Sequence, residues 1–197
     1  MDFGRDSIIN FDGDLCLSGG ANGADLQWGM TAGSIGHGVI HWSFHDHNTK
    51  APYEEIVRLT DDTLEEGLET VKRAAKRLNK CVPYKQYVRK LILRSYFQIR
   101  DSSSLYAVGN FKNGEVDGGT SWAVEMFKER MEEDYDLKMY VFDQRQNVWK
   151  EYTVQDGWKI IETPPIPSGI WTGIGSRELT NDGKEAIRNL MGWVKPK

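Results

Sequence analysis

Three short stretches put glycine where an apolar run gives way to a helical pattern. They are SGGANGAD (18–25), GNFKNGEVDGGTSWAVE (109–125) and GIGSRE (173–178). Glycine at such a turn permits positive φ and lets a ligand come close to the backbone. The helix that follows offers N–H groups without intrahelical partners and a positive end, which together suit a phosphate or carboxylate. One such turn is as readily a tight connection as a binding site. Three in a small chain are more telling, because the strand-to-helix turns of an open parallel sheet all lie along one edge. Ligands bind there, where the strand order reverses. The expectation is a shared anion-binding crevice.

The elements that would hold these turns alternate. Strands are predicted at 13–18, 38–44, 105–110, 137–143 and 169–175, and helices at 20–35, 62–79, 84–100, 119–133 and 178–194. In the 62–79 segment Leu64, Leu68, Val71, Ala75 and Leu78 recur every three or four residues, and Asp62 with Glu65 suggests a capping pair. Residues 45–55 read as a polar loop, and the stretch near 145–165 as a β-hairpin or edge extension. Alternation of this kind predicts an α/β fold with an open, mostly parallel sheet and helices on both faces, in a single domain spanning residues 1–197.

Composition narrows the task. The 197 residues are 39% hydrophobic with seven tryptophans, and the formal net charge is −4 with no basic tract. Binding to a nucleic-acid backbone is therefore not expected. The start carries acids rather than a leader-like apolar run, and no stretch approaches the roughly 18 apolar residues of a membrane span. Cys16 and Cys81 lack metal-type spacing and read as free thiols, as in a cytoplasmic protein. His37, His41, His45 and His47 cluster. On a strand, His41, His45 and His47 would share a face, fit for a metal or for an anion. No cysteine or glutamate partner at standard spacing accompanies them, so neither metal nor cofactor is assigned.

SGGANGAD resembles the SGGAxGAD motif of the SLOG superfamily, Rossmann-like domains named for the DNA-processing protein A and the Lonely Guy cytokinin-activating enzymes. Asp117-Gly118-Gly119-Thr120-Ser121-Trp122-Ala123-Val124-Glu125 is similar to the Lonely Guy motif PGGxGTxxE. Asp117 stands for its proline, Ser121 for its third glycine and Trp122 for its threonine. Arg94-Ser95 falls where those enzymes carry an Arg-Lys pair. GIGSRE resembles the strand and turn that usually open the domain, yet here it lies near the other end of the chain. The resemblance thus implies a circularly permuted member, of the compact stand-alone type found in phages.

The resemblance implies a nucleotide-derived ligand, captured by a sensor or a viral sponge for a signalling nucleotide. Its phosphate would rest on Ser18, Gly19, Gly20 and Ala21, on Gly118, Gly119, Thr120 and Ser121, and on Gly175, Ser176 and Arg177. Asp25 would accept from a ribose hydroxyl or simply favour the helix dipole. Trp42 and Trp122, like Trp28, would stack a base or fill the core. The alternative is a phosphoribohydrolase that cleaves the N-glycosidic bond of a nucleoside 5′-monophosphate, with Glu125 and Arg94 as catalytic residues. Glu125 as a solvated helix residue is the plainer option. The related enzymes are dimers, so a homodimer or larger homo-oligomer is expected.

Overall fold

The computed structural model describes residue 8 and residues 10–193. Residues 1–7 and 9 of the acidic start, and Val194 at the end of the last expected helix, lie outside the described residues. The fold is α/β. Its eight-stranded sheet comprises β1 (Leu15–Ser18), β2 (Gly38–Phe44), β3 (Ile56–Leu59), β4 (Ser104–Gly109), β7 (Lys138–Asp143), β8 (Val148–Thr153), β9 (Gly157–Ile161) and β10 (Ile170–Gly175). They run in the order β3-β2-β1-β10-β4-β7-β8-β9. The six strands from β3 to β7 are parallel, and β8 and β9 continue the sheet antiparallel. The 145–165 region therefore widens the sheet.

Helices α1 (Ala24–Ser34) and α6 (Asn181–Leu190) pack against one face. Helices α3 (Leu68–Arg77), α4 (Gln86–Ile99) and α5 (Thr120–Glu133) cover the other, with the short α2 (Asp61–Glu65) against α4. Each face buries its own core, as alternating strand side chains require. Leu15, Leu17, Ile40, Trp42 and Leu105 point toward α4 and α5, whereas Cys16, Tyr106, Val108 and Trp171 point toward α1 and α6. No described helix is long and apolar enough to cross a membrane.

Several expectations change. The helix expected over 62–79 is two helices broken at Glu66–Gly67. Its cap is Thr60, whose hydroxyl accepts from the Thr63 N–H, rather than the Asp62 pair. Gly67 is needed at the break, because a Cβ there would press on Tyr96 of α4. The edge strand β3 follows the expected loop directly. A small ribbon, β5 (Phe111–Lys112) with β6 (Glu115–Val116), stands inside the second glycine stretch. It turns at Asn113-Gly114, both at positive φ, the dipeptide that favours a two-residue hairpin. Strand β2 ends at Phe44, so the histidines do not share a face. His45 is 90% exposed beside Asp46, while His41 and His47 are buried.

Candidate functional site: a cavity at the strand ends

A cavity of about 610 Å³ opens at the C-terminal edge of the sheet, between α4 and the start of α5. That volume suits a small organic ligand. All three glycine turns contribute to its wall, through Ala21 and Asp25, through Gly118, Gly119 and Thr120, and through Gly175, Ser176 and Arg177. The turns differ sharply in what fills them.

The first turn is packed by the protein itself. Asp25, 3% exposed, accepts from the Gly175 N–H at 2.9 Å with one carboxylate oxygen and from Arg94 at 3.1 Å with the other. Arg94, 4% exposed, reaches from α4 across the end of β1 and also donates to the Gly19 carbonyl. A Cβ on Gly19 would collide with both the Arg94 guanidinium and the Asp25 carboxylate. Gly20, at positive φ, lies against His41 and Thr49, and a Cβ on Gly23 would strike the backbone of Ser176 and Arg177. The Ser18 hydroxyl donates to the Asp25 carbonyl and accepts from the Gly20 N–H, and the Ala24 N–H donates to the Ser176 carbonyl. These glycines thus make room for a buried ion pair that ties α1, α4 and β10 together. Burial pushes the Asp25 carboxyl up, and Arg94 pulls it back. Each Asp25 oxygen thus already holds one protein donor, although Asp25 also lines the cavity.

The histidines belong to this packed region. His47 lies 3.3 Å from Arg94 through Nε2 and 3.0 Å from the Ser43 hydroxyl through Nδ1. Burial and Arg94 bring it down to about 3. His41 is brought down to about 4, first by burial. Its Nε2 stands 3.4 Å from Glu55, but neither ring nitrogen is hydrogen-bonded. Burial dominates that contact, and the ring is neutral.

The second turn is open. A Cβ on Gly118 or Gly119 would meet nothing within 4 Å, and Gly119 has ordinary helical dihedrals, φ −68° and ψ −33°. Protein packing therefore does not demand glycine at Gly119. Helix α5 has no side-chain N-cap. Its Trp122 N–H donates to the Gly119 carbonyl at 3.4 Å, and the N–H groups ahead of it stand where a helix supplies no i−4 acceptors. Ser121 is buried and donates back to the Gly118 carbonyl. Three cations on the cavity wall, Lys80, Arg145 and Arg177, have no carboxylate partner among the ion pairs of the described residues. Pro83, Val88, Leu91 and Ile92 form an apolar wall alongside.

The remaining candidates are divided. Trp122 lines the cavity, whereas Trp42, 2% exposed, packs on Phe97 and is not among the lining residues. Trp28 is fully buried on the opposite face. Glu125 is neither solvated nor in the cavity lining. It is 9% exposed and pairs with Arg77 at 3.1 Å and Lys128 at 2.9 Å. Arg94 and Glu125 are thus engaged in separate ion pairs. Sequence reasoning missed Lys80 and the aliphatic wall, which come from α4 and the connection before it. No glycine or motif marks that connection.

Compared with protein families, curated proteins and solved structures, the chain finds no match in any of the three.

Proposed function

We propose that the chain captures a nucleotide-derived small molecule, holding its phosphate on the first turn of α5 and its base against the aliphatic wall of α4. The observation that carries this reading is the open Gly118–Gly119 turn. Backbone donors, cations without a carboxylate partner among the described residues, and an apolar wall meet there around one cavity. Capture is favoured over hydrolysis because Glu125 already neutralises Arg77 and Lys128, and Arg94 is held by Asp25.

A permuted SLOG-like domain fits the strand order. With β10 and α6 taken ahead of β1, and the edge strand β3 set aside, β2-β1-β10-β4-β7 becomes the order 3-2-1-4-5 of doubly wound nucleotide-binding sheets. Free Cys16 and Cys81 accord with a cytoplasmic setting. Sequestration of a signalling nucleotide, as in viral anti-defence, is one concrete form of the reading, with a homo-oligomer as its assembly.

The test is mass spectrometry of small molecules released on denaturing the purified protein, followed by incubation of native protein with nucleoside monophosphates and cyclic nucleotides. An intact nucleotide recovered at stoichiometric level, with the panel unchanged, is the expected result. Free base accumulating over many turnovers, and lost in Glu125→Ala, would establish the hydrolase instead.

A further inference from the structure

We infer that Lys80, delivered by the connection between α3 and α4, is the cation that closes the anion pocket on α5, and that the pocket selects a terminal phosphate monoester. The inference rests on the capture reading and deepens it. Lys80 Nζ lies 3.1 Å from the Ser121 hydroxyl and 6.0 Å from the centre of the Trp122 ring, so it hangs directly beside the first turn of α5. The hydroxyl holding it is itself anchored to the Gly118 carbonyl at 2.7 Å. Lys80 thus keeps a neutral partner where most cations on α3 and α4 have carboxylates, among them Lys72, Arg73, Arg77, Arg89 and Lys90.

A polar side chain of the cavity wall is only partly satisfied, its outer nitrogens held by Asp25 and the Gly19 carbonyl. Arg94, 4% exposed, lines the cavity, and its Nε has no hydrogen-bond partner. The exposed carboxylates of Asp117 and Glu178 share the mouth, but Lys80, Arg145 and Arg177 outnumber them. A phosphate monoester carries nearly two charges near neutral pH and three free oxygens. It can engage the α5 N–H groups and Lys80 together. A phosphodiester has one charge and two free oxygens, and leaves part of that donor set unused.

The experiment is calorimetric titration of the intact protein and of Lys80→Met and Lys80→Arg. The probes are orthophosphate, adenosine 5′-monophosphate and the methyl phosphodiester of that nucleotide. Lys80 is exposed, so its replacement leaves the unfolding temperature unchanged without ligand. Loss of one charged hydrogen bond weakens monoester binding about tenfold or more in Lys80→Met. Lys80→Arg keeps most of the affinity, and wild type prefers the monoester over the diester. Wild-type binding that Lys80→Met does not weaken overturns the role of Lys80 and leaves capture standing. Equal or tighter binding of the diester overturns the monoester selection. Wild type that binds none of the three probes overturns the inference, and the capture reading falls with it only where the release and panel experiment also yields no bound nucleotide.

Discussion

The turns at 18–25 and 117–121 are both glycine pairs at the mouth of a helix, and they serve opposite ends. In the first, Arg94 and Asp25 sit where side chains at Gly19 would be, and the backbone donors Gly20 and Ala24 already have partners. In the second, the space above Gly118 and Gly119 is empty of protein and the helix has no side-chain cap. A glycine-rich turn is therefore an invitation to close approach, and what approaches can be the protein's own ion pair or a ligand.

The contrast can be broken most forcefully at Asp25. Removing one partner of a buried pair leaves an uncompensated charge, so Asp25→Ala should cost about 3–5 kcal/mol in urea unfolding. Replacing both Asp25 and Arg94 by apolar residues should cost less than the sum of the single changes.

Acid attacks the same region. His41 has a folded value of about 4 against 6.5 when unfolded, so the unfolded chain takes up the proton first. Stability is fully present above 6.5, falls as the pH drops from there to about 4, and loses on the order of 3 kcal/mol from this group. His47 adds loss in the same direction. A denaturation series across that range checks the slope.

Gly19→Ala should destabilise by about 1–3 kcal/mol through overpacking on Arg94 and Asp25. Gly119→Ala, in helical dihedrals with open space around it, should gain about 0.5 kcal/mol while weakening ligand binding. Opposite signs in the two turns sharpen the contrast, and equal losses would erase it.

Much of the fold is legible in the chain because its signals are local. The buried strands β1, β2, β4, β7 and β10 are apolar runs bounded by glycine or polar residues, and α3 and α4 follow three-to-four spacing. Strand β3 escapes because Ile56-Val57-Arg58-Leu59 is short and has no alternation of its own. It becomes a strand by pairing with β2. The site is half legible. The glycine turns announce close approach, but which of them is already filled depends on Arg94, which arrives over Gly19 from 75 residues away. Trp42 and Trp122 are alike in sequence and both are buried in one core, and only the packing of the helices decides that Trp122 also lines the cavity. Glu125 sits at the motif position, yet its partner Arg77 comes from a helix 48 residues earlier.

Backbone amide chemical shifts of the isotope-labelled protein, followed during titration with adenosine 5′-monophosphate, separate the two turns in one experiment. The amides of Gly118 through Ser121 should move in a saturable manner, while those of Gly19 through Ala21 stay near their free positions. Saturable shifts at Gly19 and Gly20, with Gly118 through Ser121 unmoved, would mean that the ligand displaces the Arg94–Asp25 pair, and the assignment of the two turns would be reversed.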